Sequence, residues 1–162
     1  MKNINSLYPK DKAQMYKLLL AQMKELLEGE HNVTANLSNV SALLNEALED
    51  INWVGFYLIN ADELILGPFQ GKVACVHIAI GRGVCGTAVQ QDKTQLVEDV
   101  HLFPGHIACD SASNSELVIP LRSKGKVVGV LDIDSPSIGR FDVVDASELE
   151  KIAKVIEDAC EW

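Results

Sequence analysis

The sequence predicts an α+β fold in which a mostly antiparallel central sheet is covered by N- and C-terminal helices. Apolar residues recur at helical spacing towards both ends of the chain, and strand-like apolar runs separated by turn residues fill the middle. Size agrees, because 162 residues with 48% hydrophobic content suit one globular domain with its own core. We therefore expect a single domain over residues 1–162, with an N-terminal helical segment at 1–51, the sheet and its loops at 52–140 and a C-terminal helix at 141–162.

Helical periodicity predicts the first two elements, over residues 11–27 and 37–51. A final helix is predicted over residues 142–160, where Asp142 can cap the N-terminus and Cys160, at the far end, is interpreted as a bystander. The remaining elements follow from apolar runs and turn residues. In chain order they are a hairpin of strands 53–59 and 64–68, a strand at 73–80, a helix at 84–91, a strand at 95–98 and a hairpin over 116–134.

Acidic residues are the unusual feature of the last hairpin. Asp132 and Asp134 end an apolar strand, although aspartate is depleted from strands and costly to bury without a partner. Because side chains alternate along a strand, both are predicted to share one face with Val128 and Val130. The simpler interpretation is that the two aspartates end a strand and begin a turn, as aspartate often does.

The register of this hairpin decides whether Glu116, which opens the preceding strand, joins the two aspartates. A three-residue loop over 123–125 places Glu116 opposite Asp132, on the same face. A two-residue loop at 124–125 places it opposite Ile133, on the other face. We expect the three-residue loop, because it yields a pocket floor of three acids. Such a trio can hold a ligand's ammonium group, or crowding can keep one acid protonated as a donor to a ligand oxygen.

Three of the four cysteines, Cys75, Cys85 and Cys109, lie in the central part of the chain. Cys75 is predicted on a strand, Cys85 where a glycine-rich turn enters a helix, and Cys109 in a long loop over residues 99–115. A buried free cysteine usually acts only as a small apolar residue, but the polar loop and the nearby His106 suit an accessible, reactive thiol at position 109. Structural zinc is not favoured, because no Cys-x-x-Cys pair is present, and no metal ligand is assigned.

Five short segments form an ordered set: GPFQGK at 67–72, GRGVCG at 81–86, FPGHIACD at 103–110, SNSE at 113–116 and LDIDSP at 131–136. Together they resemble the free methionine-R-sulfoxide reductases, which are single GAF-domain enzymes. The resemblance runs from about residue 53 to residue 145. It implies a GAF-like fold and the thiol-dependent reduction of free L-methionine-R-sulfoxide to L-methionine.

The resemblance also implies roles for the three central cysteines. Cys109 matches the nucleophile that attacks the sulfoxide sulfur and becomes a sulfenic acid. Cys75 matches the resolving cysteine, which forms an intramolecular disulfide, and Cys85 matches an alternative or second resolving cysteine. No bound cofactor is implied, and thioredoxin is expected as the external reductant.

Substrate-binding residues are implied in the same way. The family's acidic positions match Glu116, Asp132 and Asp134, and its aromatic wall for the substrate's methyl end matches Trp53 and Tyr57. The competing interpretation is a non-catalytic GAF domain that senses a small ligand or the redox state. A ligand sensor needs no set of three thiols, whereas a redox sensor would use them without turnover.

Charge and the N-terminal sequence limit the partners and the location. A net charge of -9 and a pI near 4.8 argue against nucleic acid or an anionic membrane as partners. The N-terminus carries no signal-peptide pattern and no apolar run is long enough to span a bilayer, so we expect a cytoplasmic protein, where thiols stay reduced. Domains resembling this one often pair through their terminal helices, which leaves a homodimer open.

Overall fold

A computed structural model describes residues 7–107 and 109–162 of the chain. Within that part, four α-helices and six strands follow one another as α1 (Lys12–Leu27), α2 (Val33–Ala47), β1 (Trp53–Asn60), β2 (Glu63–Gly71), β3 (His77–Ala79), α3 (Gly83–Gln91), β4 (Gln95–Val97), β5 (Ser115–Ser123), β6 (Lys126–Ser135) and α4 (Val143–Ala159). The strands form one antiparallel sheet in the order β3-β2-β1-β6-β5-β4. The predicted α+β fold is confirmed.

The two faces of the sheet serve different purposes. On one face α1, α2 and α4 pack over a core that includes the fully buried Phe56, Leu131 and Ile133. On the other face α3 and the β4–β5 loop cover a smaller cluster that includes Tyr57 and Val130. Strand alternation therefore separates a helix-covered face, which holds most of the core, from a second face that is free to carry polar side chains. In the described residues, no helix has the length and apolar character needed to cross a membrane.

Helix starts follow the capping residues. Asp142 caps α4 as predicted, by accepting hydrogen bonds from two backbone N–H groups of the first turn. The second predicted helix is displaced, because α2 begins after Asn32, whose side chain accepts from Ala35 N, and ends before Leu48, which is extended. The apolar periodicity continues to Ile51, so it predicted an end of the helix later than Ala47, where the helix ends.

The β5–β6 hairpin differs from the expected three-residue loop. The turn has two residues, Lys124 and Gly125, both with positive φ (51° and 76°), and Ser123 pairs with Lys126. Two-residue hairpin turns favour positive φ at both positions, because the resulting twist matches that of the strands. The choice of loop was therefore wrong.

A β-bulge nevertheless brings Glu116 to the expected face. The pairing shifts by one residue between Leu121 and Arg122, which leaves Val128 as an extra residue in β6. Val128 consequently packs against the helix-covered core, although it was predicted on the face of the aspartates. Beyond the bulge Glu116 lies opposite Asp134, not opposite Asp132 as expected.

The strand predicted over residues 73–80 is shorter than expected. Only His77–Ala79 pair with β2, so Cys75 lies in the connection before β3 and not on a strand. Aromatic side chains bond the backbone here in place of a neighbouring strand: Trp53 Nε1 donates to the carbonyl of Lys72, and the Tyr57 hydroxyl donates to that of Cys75.

A buried carboxylate fastens the N-terminal helix to α4. Asp145 is fully buried and receives Lys12 Nζ at 2.8 Å, the Tyr16 hydroxyl at 2.6 Å and the backbone N–H of Asp142 at 2.9 Å. Arg140 adds a second cation at 3.5 Å. These contacts replace the hydration that the Asp145 carboxylate loses on burial.

Replacing Asp145 with alanine should destabilise the fold by about 1–3 kcal/mol, because it leaves the buried Tyr16 hydroxyl and the backbone N–H of Asp142 without an acceptor, whereas Lys12 keeps its ion pair with Asp142. Urea unfolding measures the change. Asp158→Ala on the same helix is the matched control, since its ion pair with Lys154 is exposed and should contribute little. Equal stabilities of the two variants would contradict this account.

Candidate active site

A cavity opens on the second face, between the sheet, the first turn of α3 and the β4–β5 loop. Its lining contains Trp53, Tyr57, Cys85, Cys109, Glu116, Asp132 and Asp134. Cys75 stands at its edge, bonded to Cys109. The structure thus brings together all eight residues that the sequence singled out.

The strand register builds the acidic trio, Glu116, Asp132 and Asp134. Glu116 on β5 lies opposite Asp134 on β6, and Asp134 lies opposite Trp53 on β1. These two acids and the tryptophan therefore form a row across the three strands. Asp132 lies two residues back along β6, opposite Gly55. Glu116 and Asp132 are only 7% and 5% exposed. Among the described residues nothing bonds Oδ1 of Asp132, which is buried.

Burial sets the protonation of this trio. Loss of hydration raises the pKa of Glu116 well above its usual range, and the charges of Asp132 and Asp134 raise it further. Burial also raises the pKa of Asp134, with Asp132 as the next cause. For Asp132 burial raises the pKa to about 6, although hydrogen bonds with Glu116 and Cys85 oppose the rise. Three carboxyl groups this close cannot all ionise near neutral pH, so the trio holds at least one proton.

The cysteines differ in their surroundings. Cys75 and Cys109 are both partly exposed and form a disulfide with their Cα atoms 5.7 Å apart. Cys85 is free and buried in the first turn of α3, as its glycine-rich setting predicted. Burial raises the pKa of the Cys85 thiol, and the charge of Asp132 is the next cause. Cys85 is therefore a protonated thiol in the floor of the cavity.

Stacked aromatic rings form one wall. Trp53 lies between Tyr57, with ring centroids 5.9 Å apart, and Phe69, at 5.2 Å. Trp53 and Tyr57 donate to the backbone carbonyls of Lys72 and Cys75, which ties the segment that carries Cys75 to the sheet. Phe69 lies in the first of the five quoted segments, but the sequence alone does not reveal that its ring stacks on Trp53.

The segment after Cys109 is tied to the start of β1. Asn52 Nδ2 donates to Asp110 Oδ2 and Ser113 Oγ, each at 3.1 Å. Asn52 was missed because a lone asparagine before a strand gives no signal of a contact 58 residues away. Of the two loop histidines, His106 lines the cavity and burial lowers its pKa, whereas the exposed His101 bonds Asp99.

Known proteins share this sequence and fold. The GAF domain family model matches residues 36–161. The chain is 54% identical to the free methionine-R-sulfoxide reductase of Escherichia coli over 147 residues, which cover 91% of this chain and 89% of the relative. This chain belongs to the free methionine-R-sulfoxide reductase family. The resemblance stated from the five segments is thereby confirmed.

Solved structures of the family superimpose closely. The reduced form of the Staphylococcus aureus enzyme has a TM-score of 0.88 and 59% identity, with 89% of this chain and 94% of that chain covered. The Neisseria meningitidis free methionine-R-sulfoxide reductase in complex with its substrate has a TM-score of 0.90 and 46% identity, with 93% and 91% covered. The GAF fold of this family member therefore extends over most of the chain.

Asp132 should make the stability of this reductase-family domain depend on pH. Its pKa rises from 3.8 in the unfolded chain to about 6 in the fold, so the native state holds the proton more tightly and loses stability as pH rises between these values. Asp132→Asn should remove up to about 3 kcal/mol of that decline between pH 4 and pH 7.

Urea unfolding of both proteins at pH 4, 5.5 and 7 measures this difference. Asp158→Asn, an exposed position, should follow the wild-type curve. If the free energy of unfolding changed with pH equally in wild type and Asp132→Asn, the pKa of Asp132 would not be raised in the folded protein.

Proposed function

We propose that this protein reduces free L-methionine-R-sulfoxide to L-methionine, with Cys109 as the nucleophile. The observation that carries the proposal is the Cys75–Cys109 pair at the edge of a cavity whose floor is the acidic trio. A reactive thiol, a second thiol within bonding reach and a protonated carboxyl group are the groups that the reaction requires. The R configuration is carried over from the relatives, which include the free methionine-R-sulfoxide reductases of Escherichia coli, Saccharomyces cerevisiae and Neisseria meningitidis.

The cavity offers a contact to each part of the substrate. An ionised member of the acidic trio can pair with the α-ammonium group. Arg82, which alone among the described lining residues is an arginine or lysine, can pair with the α-carboxylate. Trp53 and Tyr57 provide the apolar wall for the S-methyl end. A peptide-bound residue has an uncharged amide nitrogen in place of the ammonium group, so the site should select the free amino acid.

The chemical step needs a nucleophile and an acid. The Cys109 thiolate attacks the sulfoxide sulfur, and the sulfoxide oxygen must be protonated because it is a poor leaving group. A carboxyl group of the trio, kept neutral by burial, donates that proton. The oxygen moves to Cys109, which becomes a sulfenic acid, and methionine is released with its sulfur reduced by two electrons.

A second thiol then completes the cycle. The Cys75 thiol attacks the Cys109 sulfenic acid, which forms the disulfide and releases water before irreversible oxidation can follow. We assign Cys85 only as the alternative resolving thiol, second to Cys75. Its burial raises the pKa of the thiol, so little of the reactive thiolate is present. A dithiol reductant of the thioredoxin type, in the cytoplasm, accepts the disulfide by exchange and restores both thiols.

A thioredoxin-coupled assay that follows NADPH consumption tests the function. We expect turnover with free methionine-R-sulfoxide, and none with the free S form or with an N-blocked R-sulfoxide. Turnover of the N-blocked form would show that recognition does not depend on a contact between the acidic trio and the substrate's α-ammonium group. No turnover with any substrate, when folded protein and active thioredoxin are verified, would favour the sensor interpretation.

Serine variants separate the roles of the two bonded cysteines. Cys109→Ser should abolish turnover, a loss of at least about 10³-fold, because no other thiol is placed at the sulfoxide sulfur. Cys75→Ser should release about one methionine per protein in a single-turnover experiment and then slow, unless Cys85 or an external thiol resolves the sulfenic acid. Cys160→Ser is the matched control, since Cys160 is buried beside Asn36 on the helix-covered face. Near-normal rates for Cys109→Ser would show that the nucleophile is a different residue.

A further inference from the structure

Cys85, Glu116 and Asp132 form a cluster that the proposed reaction explains only in part. Each offers a sulfur or carboxylate oxygen, and these three atoms lie within 4.8 Å of one another. All three side chains are buried. They come from α3, β5 and β6, so the sequence spacing of the cysteines could not reveal the cluster.

One atom of this cluster lacks a partner. Oδ1 of Asp132 is buried, and among the described residues nothing bonds it. An unbonded buried carboxylate oxygen is costly, and a ligand atom bound to it would remove that cost. Asp132 lines the cavity together with Cys85 and Glu116, which places this oxygen beside an accessible space.

The donor set fits one class of ion. Zn²⁺ is bound by thiolate at about 2.3 Å and by carboxylate oxygen at about 2.0–2.2 Å, and it accepts three protein ligands with a fourth, open position. Tetrahedral ligands at those distances lie about 3.5 Å apart, so small side-chain rotations from the present separations suffice. The thiolate disfavours Mg²⁺ and Ca²⁺, which take oxygen ligands.

We propose that Cys85, Glu116 and Asp132 bind Zn²⁺ in the floor of the cavity, and that the ion and methionine sulfoxide exclude each other. The ion displaces the protons of the thiol and the carboxyl groups, which leave to solvent, and its open position faces the cavity. Two of the three ligands belong to the acidic trio that the substrate needs, so the two cannot occupy the site together. The coordinated Cys85 sulfur is also withdrawn from disulfide formation. Binding of the ion is independent of the proposed function, whereas the competition rests on it.

Cobalt titration of the oxidised protein tests the site without any assay of activity. With Cys75 and Cys109 joined in the disulfide, only Cys85 and Cys160 are free. Co²⁺ should give a near-ultraviolet thiolate-to-cobalt absorption band, and Zn²⁺ should abolish it at one equivalent. Cys160→Ser should retain the band. Cys85→Ser should lose it, and its affinity for Zn²⁺, measured by calorimetry, should fall by at least about tenfold.

Asp132→Asn provides a second variant that keeps the thiol. It should weaken Zn²⁺ binding by at least about tenfold while circular dichroism shows an unchanged fold. The site would be refuted by the absence of a thiolate band in folded, oxidised wild type, by a band that survives in Cys85→Ser, or by Zn²⁺ affinity unchanged in Asp132→Asn.

The competition is tested in the double variant Cys75→Ser, Cys109→Ser, which cannot turn over and leaves Cys85 as the one thiol of the described cavity lining. Free methionine-R-sulfoxide should bleach the cobalt band in proportion to its occupancy. A full band when calorimetry shows the sulfoxide bound would overturn the competition. If the sulfoxide does not bind even the metal-free variant, the proposed function fails, whereas the zinc site is decided by the titration alone.

Discussion

The loss of hydration at the acidic trio is the constraint on which the site depends. Burying three carboxyl groups on adjacent strands disfavours their ionised forms. The core on the helix-covered face offsets this unfavourable free energy, because most of the buried apolar residues lie there. The same burial that destabilises the native state at neutral pH keeps at least one carboxyl group of the trio protonated. In the proposed reaction that proton goes to the sulfoxide oxygen, so stability and chemistry would be opposed at these positions.

Separation of the two faces makes that opposition tolerable. Leu131 and Ile133 extend the helix-covered core, while Asp132 and Asp134 alternate with them onto the second face of the same strand. The strand therefore serves both faces, because its alternate residues pack in the core on one side and line the site on the other. A slip of one residue would bury the acids under the helices and expose the leucine and isoleucine, so core packing itself fixes the orientation of the trio.

Sequence patterns predicted those parts of the fold that follow from local chemistry. Alternation placed Asp132 and Asp134 on one face, and the capping role of Asp142 followed from its position before an apolar helical pattern. Glu116 reached the expected face by a different route, because the two-residue turn and the bulge at Val128 each shift the register by one residue in the same direction. The total shift of two residues restores the face and places Glu116 opposite Asp134. A bulge adds one residue to one strand of a pair, and the alternation of apolar residues along that strand did not reveal it.

The site was predictable to the extent that it repeats the five quoted segments, and less so where it depends on tertiary contacts. Cys75 was expected on a strand, but its backbone carbonyl is bonded by the Tyr57 hydroxyl and not by a neighbouring strand. The cluster of Cys85 with two acids, and the contact of Asn52 with the loop, join elements that are distant in sequence. Such contacts are set by how the elements pack, which periodicity does not encode.

Two separate anchors bear on what happens when the disulfide opens. The Cys75 segment is held to β1 by Tyr57 and Trp53, and the segment after Cys109 is held by Asn52 through Asp110 and Ser113. Neither anchor includes a sulfur atom, so reduction of the disulfide removes none of the atoms that form these contacts. In the proposed reaction, a thiol held close to the sulfenic acid reacts as if at high local concentration, which favours the disulfide over further oxidation. These side-chain contacts, together with the disulfide, would then keep Cys75 and Cys109 close enough for repeated cycles.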